Sequence, residues 1–230
     1  MVQSPGASLR TCCAFSVVLV LLISLSVSAT PLVRSYVWEF SGRSWTLDFT
    51  FDANDYAYYR GLDRTLPYTA YHAYVSEPKD DAVLREFVVS VDALGLDAGL
   101  NVWERLNLVI AFVQAIPYAS EECEYPRYPL EMLIEGRGDC EDAAILAASL
   151  LRELGFGVVL LAFLEESHMA LGVLVTPPGA DGLQAYRYKG DLYYYLEPTS
   201  PGWAIGVVPP DYRSVPHVID VLPAYAQHAN

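Results

Sequence analysis

The residue best suited to covalent chemistry is Cys140, which lies in the segment 138–142 (GDCED). Small and aliphatic residues fill positions 143–151 and predict a buried helix that begins at the cysteine. The N-terminus of a helix carries partial positive charge and free backbone N–H groups, and both favour a thiolate over a thiol. We therefore expect Cys140 to have a lowered pKa and to serve as a nucleophile.

A candidate base and a candidate orienting acid follow the cysteine in the sequence. His168 and Glu197 each lie at the edge of a predicted strand. A thiol nucleophile needs a base within hydrogen-bonding distance, and the base needs a partner that fixes its tautomer. Neighbouring antiparallel strands can bring an imidazole and a carboxylate together. The competing interpretation is a buried core cysteine, a solvent-facing histidine and a surface glutamate.

Acyl chemistry at a thiol also needs hydrogen-bond donors for the developing oxyanion. The backbone N–H of Cys140 is the first candidate, and the side chain of Gln114 is a candidate second donor. The alternative for Gln114 is a capping or surface polar residue near the end of its helix. Asp139 and Asp142 flank the thiol and would oppose a thiolate if they pointed at it, so we interpret both as caps of the helix.

The other cysteine that bears on the fold is Cys123, because Cys12 and Cys13 belong to an apolar leader. In an oxidising compartment, a structural bridge between Cys123 and Cys140 is an alternative to a reactive thiol. The sequence has no C-x-x-C motif, which disfavours a zinc site. We expect neither a metal nor a cofactor.

The N-terminal segment predicts export from the cytoplasm. No charged residue occurs between Arg10 and Arg34, positions 12–27 are strongly apolar, and small residues follow at 27–29. Residues 1–33 are therefore predicted to form a signal peptide, or an uncleaved membrane anchor. The remainder, 34–230, is expected to be one domain outside the cytoplasm, either secreted or anchored to the membrane.

The charge balance narrows the range of partners. The chain has 28 acidic and 14 basic residues, which argues against nucleic acid and anionic membrane surfaces. It favours solubility, or attraction for basic peptides and polycations. The expected partner is a protein or peptide substrate, with the membrane as a further partner only if the leader remains attached.

Hydrophobic periodicity places helices in the first half of the domain and strands in the second. The predicted elements are a hairpin of strands at 36–40 and 45–51, helices at 82–94, 102–116 and from 140, and strands at 158–163, 168–175, 184–188 and 192–197. The expected fold class is α+β, with the helix of the nucleophile buried against an antiparallel sheet.

Three motifs in this order resemble the transglutaminase-like (papain-like thiol) superfamily. Residues 138–155 resemble its nucleophile helix, His168 with its strand resembles its histidine motif, and 195–199 (YLEPT) resembles its final Asp-Pro-Thr motif. The segments 112–118 and 128–131 resemble a secreted prokaryotic branch, particularly an archaeal one. The resemblance covers roughly residues 36–209 and implies a papain/transglutaminase-like core. It also implies that Cys140 forms a thioester, with assistance from His168 and Glu197.

Two positions depart from the family pattern. Glu197 stands where the family more often has Asp, so one additional methylene must be accommodated. Met169 stands where many relatives have a Trp that shapes the site for an acyl acceptor. Hydrolysis of peptide or amide bonds, as by a cysteine protease or amidase, is therefore the expected reaction. The alternatives are a catalytically silent module that binds peptides or envelope polymers, and a protein-glutamine acyltransferase.

Overall fold

The described part of the chain begins with a long β-hairpin. The structure is a computed structural model that describes Met1 and residues 31–221. Strands β1 (Pro31–Phe40) and β2 (Arg43–Asp52) pair antiparallel along their whole length, which confirms the predicted hairpin. Their two-residue turn places Ser41 at φ 53° and Gly42 at φ 70°, as such tight hairpin turns require.

The predicted leader lies almost entirely outside the described residues. Residues 31–33, the last three of that prediction, belong to β1, so the hairpin begins three residues before the predicted domain start. Among the residues that the structure describes, no helix has both the length and the apolar character needed to cross a membrane.

Six α-helices lie between the hairpin and the second sheet in the described chain. They are α1 (Ala53–Arg60), α2 (His72–Val75), α3 (Asp81–Asp97), α4 (Val102–Gln114), α5 (Pro129–Glu135) and α6 (Cys140–Glu153). Helix α6 is buried along nearly its whole length, because α2, α3, α4 and α5 contact it as well as strands of the sheet. The predicted helix at Cys140 is therefore the central element of the fold.

A five-stranded antiparallel sheet packs against α6. Its strands are β3 (Gly157–Phe163), β4 (His168–Leu174), β5 (Ala185–Tyr188), β6 (Asp191–Leu196) and β7 (His217–Asp220). They lie side by side in the order β5-β6-β4-β3-β7. Strands β3 and β4 contact α6 directly. The α+β fold with helices before the sheet is as predicted, whereas α1, α2, α5 and β7 were not predicted.

The predicted end of the helix at 82–94, just before Gly95, is wrong. The sequence places a stop there, but α3 continues to Asp97. A Cβ atom at Gly95 would lie 3.0 Å from Arg105 Cγ and 3.1 Å from Leu108 Cδ2. The glycine therefore permits close packing of α3 on α4 and does not end the helix.

Asp80, just before α3, is a buried acid whose charge the fold does not compensate. It is 1% exposed, and Oδ2 has no hydrogen-bond partner. Burial, with smaller contributions from Glu77 and Asp81, raises the pKa of Asp80 well above its usual value. A group with a raised folded-state pKa contributes most to stability at low pH, and that contribution is lost as the pH rises through the folded-state pKa.

We therefore expect Asp80→Asn to stabilise the protein at pH 8 by about 2 kcal/mol, the usual cost of an unsatisfied buried polar group. The gain should shrink as the pH falls towards about 4, near the pKa of an unfolded aspartate. Thermal unfolding across this pH range measures it, with exposed Asp181→Asn as the matched control. A gain of the same size at every pH would contradict the prediction.

Candidate active site

The start of α6 is fixed by the side chain of Asp142. Asp142 Oδ2 accepts a hydrogen bond from the backbone N–H of Asp139 at 3.2 Å, in a capping box. A Cβ atom at Gly138 would lie 2.7 Å from Asp142 Cβ and 2.8 Å from its Oδ2. Only glycine leaves room for this cap, which sets the position of Cys140 as the first residue of the helix.

A buried ion pair holds the capping carboxylate in place. Asp142 accepts the backbone N–H of Arg127 at 2.6 Å and its Nη1 at 2.6 Å. The same guanidinium also bonds Glu135 at 2.9 Å and pairs with Glu121. The sequence predicted the cap but not its partner, since Arg127 lies 15 residues before Asp142 in an irregular segment.

His168 and Glu197 lie together, as predicted. His168 is the first residue of β4, and Glu197 directly follows β6, which pairs with β4. The distance between His168 Nε2 and Glu197 Oε2 is 2.9 Å, and both side chains are buried. The sheet therefore brings the candidate base and the candidate orienting acid into hydrogen-bonding contact.

The Glu197 carboxylate is held at both of its oxygens. Tyr195 donates its hydroxyl to Oε2 at 2.6 Å, while Thr199 donates its backbone N–H at 3.0 Å and its hydroxyl at 2.5 Å to Oε1. Burial alone would raise the pKa of Glu197, but hydrogen bonds from His168, Thr199 and Tyr195 outweigh it and the pKa is lowered. Glu197 is thus an ionised acceptor for His168.

Cys140 and His168 line the same open cleft, which has a volume of about 250 Å³. Its other walls come from the loop before α5, the turn between β3 and β4, and the segment around α2, with Tyr68, Tyr71, Glu124, Glu141 and Met169 among the lining residues. The structure therefore brings three of the four candidate residues to one place: Cys140 and His168 at the cleft, and Glu197 behind the histidine.

The thiol of Cys140 is not prepared as the sequence predicts. Sγ donates its hydrogen bond to Glu141 Oε2 at 3.2 Å. Burial raises the pKa of Cys140 far above that of a free thiol, and the negative charges of Glu141 and Asp139 raise it further. The expectation of a lowered pKa is therefore wrong for this resting structure, because the acidic neighbours and burial outweigh the helix terminus.

Asp139 and Glu141 share the acidic environment on either side of the thiol. Burial, Asp142 and Glu141 raise the pKa of Asp139 to about 8, and the pKa of Glu141 is raised mainly by burial. Across the described residues, no cluster of three or more His, Cys, Asp or Glu side chains is arranged to hold a metal ion.

Gln114 does not have the role suggested for it as an oxyanion donor. Its Nε2 donates to the backbone carbonyls of Glu197 at 2.8 Å and Trp203 at 3.0 Å, so both N–H groups are occupied. The side chain is also buried, at 4% exposed, and the alternative of a surface residue is equally wrong. Gln114 ties the end of α4 to the segment that carries Glu197.

Cys123 and Cys140 do not form a bridge. Both are free, Cys123 is exposed, and Cys140 is buried at the start of α6. The disulfide alternative is therefore not the state that this structure describes.

Tyr212 is a residue of the site that the sequence did not indicate. Its ring stacks on the His168 ring, with centroids 4.3 Å apart and planes 23° apart. The loop that carries it is clamped by Glu166, which accepts the backbone N–H of Arg213 at 2.8 Å and of Ser214 at 2.9 Å. No motif surrounds Tyr212, so only the path of the C-terminal segment across the sheet could reveal it.

Comparisons with known proteins add little to this geometry. No protein-family model and no curated protein matches the chain. Among solved structures, the chain is similar to a "putative cysteine protease" from Cytophaga hutchinsonii. The two are 14% identical, the match covers 88% of this chain and 72% of that one, and the TM-score is 0.42. A likeness this weak does not transfer residues or activity to the present chain.

We expect Gly138→Ala to destabilise the protein by about 1–3 kcal/mol, because the added methyl group displaces the Asp142 cap. Thermal unfolding measures the loss. Gly61→Ala is the matched control, since a Cβ atom there meets only ordinary contacts at 3.4 Å and 3.5 Å. Equal stability of the two variants would contradict the role of Gly138.

We expect Tyr212→Ala to slow the alkylation of Cys140 by iodoacetamide by about tenfold, because a freed imidazole is less well positioned as a base. Tyr212→Phe keeps the stacked ring and should stay within about twofold of the parent. Both variants are compared in a Cys123→Ser background, so that Cys140 is the thiol measured. An unchanged rate in Tyr212→Ala would show that the stack does not position His168.

Proposed function

We propose that this protein is a transglutaminase-like cysteine hydrolase that cleaves peptide or amide bonds through a thioester on Cys140. The observation that carries the proposal is the His168–Glu197 hydrogen bond of 2.9 Å behind a cleft that is also lined by Cys140, the first residue of α6. Such an arrangement provides a nucleophile, a base and an orienting acid. The acid is a glutamate with no spare hydrogen-bonding oxygen.

The first step is attack of the Cys140 sulfur on the substrate carbonyl. The ionised Glu197 accepts a hydrogen bond from the N–H at His168 Nε2, which leaves Nδ1 as the unprotonated nitrogen. Nδ1 takes the thiol proton while sulfur bonds to the carbonyl carbon and the π electrons move to oxygen. The backbone N–H of Cys140, at the start of α6, is the proposed donor to that oxyanion.

The intermediate then collapses, and water completes the reaction. The C–N bond breaks as the carbonyl re-forms, and His168 gives its proton to the departing amine. The resulting thioester is attacked by water, which gives one proton to His168 as its oxygen bonds to carbon. The C–S bond breaks, the proton returns to sulfur, and a carboxylic acid leaves. Glu197 stabilises the imidazolium in both halves of the reaction.

A silent binding module of the same fold is the second candidate. It is favoured by the hydrogen bond from the Cys140 thiol to Glu141, and by burial and acidic neighbours that raise the pKa of that thiol. Acyl transfer to an amine remains a third alternative, with Met169 in place of the aromatic residue of many relatives. We further propose that the domain acts outside the cytoplasm, on the composition of residues 1–33.

We expect the full chain to cleave members of a defined peptide mixture, and Cys140→Ala or His168→Ala to lower the rate by at least about a thousandfold. Glu197→Gln should lower it by about tenfold to a hundredfold, because the imidazolium loses its charged partner. Mass spectrometry identifies the cleaved bonds, and intact-mass analysis after acid quenching detects the thioester.

The matched control is Cys123→Ser, which removes the exposed thiol and should cleave as the parent does. A product that has gained only water shows hydrolysis, and a product joined to an amine of the peptide mixture shows acyl transfer. Cleavage that survives Cys140→Ala would contradict the mechanism, and a parent chain that cleaves nothing would favour the binding module.

A further inference from the structure

Buried and half-buried carboxylates in the described part of the chain are commonly paired with arginine. These pairs are Glu131–Arg64, Asp142–Arg127, Glu135–Arg127, Glu153–Arg85 and Asp81–Arg152. Such pairing is expected, because an uncompensated charge in a low-dielectric setting is costly. Asp80 and Asp139 do not follow this pattern, and neither does Glu141, a half-buried carboxylate of the cleft wall.

Two carboxylates on the cleft wall, the half-buried Glu141 and the exposed Glu124, lack such a cation. Glu141 accepts from the Cys140 thiol, and Glu124 accepts from the Tyr71 hydroxyl. Neither forms an ion pair with any Lys, Arg or His of the described chain, and no Lys or Arg lines this cleft. The wall beside the candidate nucleophile therefore carries negative charge that the fold leaves unbalanced.

Aromatic rings complete this wall. Tyr68 and Tyr71 line the cleft with the two carboxylates. Ring faces attract cations through their quadrupoles, and carboxylates add a direct charge, so the combination suits an ammonium or guanidinium group. A volume of about 250 Å³ accommodates one extended side chain. The excess of 28 acidic over 14 basic residues attracts the same kind of ligand.

We propose that this wall is the specificity subsite of the enzyme, and that Glu124 and Glu141 bind a lysine or arginine side chain of the peptide substrate beside the bond to be cleaved. The inference rests on the proposed function and names its substrate class. A Lys or Arg head group in the cleft supplies the positive charge that arginines provide to the carboxylates of the five pairs named above.

Binding of this cation also prepares the nucleophile. In the resting structure the Cys140 thiol donates its hydrogen bond to Glu141 Oε2, which lies 3.2 Å from Sγ. A substrate cation that pairs with Glu141 occupies the carboxylate that accepts the thiol hydrogen bond and balances its negative charge. The thiol then loses its acceptor, and its proton can pass to His168 Nδ1 while Glu141 stays ionised. Substrate binding and activation of Cys140 are thereby the same event.

Charged thiol reagents test the subsite directly. In the full chain with Cys123→Ser, we compare Cys140 modification by a cationic (trimethylammonium) and an anionic (sulfonate) methanethiosulfonate, each rate divided by that for 2-mercaptoethanol. We expect a preference for the cationic reagent of about tenfold. Glu124→Gln and Glu141→Gln should each reduce it, whereas Glu122→Gln, an exposed neighbour outside the cleft, should not.

Neutral iodoacetamide separates the two roles of Glu141. Glu141→Gln should make Cys140 about tenfold more reactive towards this uncharged reagent at pH 7, while it lowers the preference for the cationic reagent. A folding defect does not produce these two opposite changes together. A cationic preference that persists unchanged in both glutamine variants would overturn the proposal.

A peptide mixture with and without acetylated lysines tests the substrate class. We expect cleavage next to Lys or Arg, and at least about tenfold less cleavage at lysine sites after acetylation. Cleavage that needs Cys140 and His168 but shows no preference for basic residues would overturn the inference and leave the hydrolase intact. A cationic preference of the thiol reagents without any cleavage would instead leave the subsite intact and overturn the hydrolase.

Discussion

The site depends on one buried ion pair at the start of α6, between Arg127 and Asp142, which leaves the other acids there without a cation. Residues 139, 141 and 142 are all acidic, and Arg127 bonds only Asp142 of the three. That buried pair fixes the cap and therefore the position of Cys140. Asp139 and Glu141 stay without a cation, and their charge acts on the thiol. The contact that positions Cys140 thus also leaves two acids beside the thiol without a cation.

The partial positive charge at the start of α6 is too small to offset the negative charges of these acids. It amounts to about half an elementary charge, spread over several N–H groups, and its effect fades within one turn. A carboxylate whose oxygen is 3.2 Å from the sulfur carries a full charge, and burial strengthens its effect. Burial also penalises the thiolate itself. A cysteine at a helix start is therefore reactive only where its other neighbours permit, and in this structure they do not do so without a ligand.

The sequence predicts those parts of the fold that periodicity and local signals define. The β1–β2 hairpin follows from alternation around Ser41-Gly42, and α6 follows from its apolar run. Helix α1 has no apolar face, and α2 and β7 have only four residues each, so periodicity cannot detect them. The His168–Glu197 contact could be expected because both residues lie at the edges of predicted strands, and neighbouring antiparallel strands can bring such side chains together.

The sequence could not predict contacts between distant segments that lack a motif. Gln114 bonds the backbone of Glu197, 83 positions away, and Tyr212 stacks on His168 from the C-terminal segment. Neither the residue types nor their spacing in the sequence predicts such contacts. Both interpretations of Gln114, as an oxyanion donor and as a capping or surface residue, were wrong. A buried amide can hydrogen-bond the backbone of a site without contacting the reacting atoms.

A neutral resting thiol has a further consequence for an enzyme that works outside the cytoplasm, as we propose for this one. The thiolate is the form that oxidants and disulfides attack, and a low-pKa cysteine is the most vulnerable. Cys123 is exposed and free, so a reactive Cys140 would have a potential disulfide partner in a neighbouring copy of the chain. Holding Cys140 protonated against Glu141 until a cationic substrate arrives limits this loss. The acidic neighbours that oppose catalysis in the resting state then preserve the nucleophile and select the substrate that releases it.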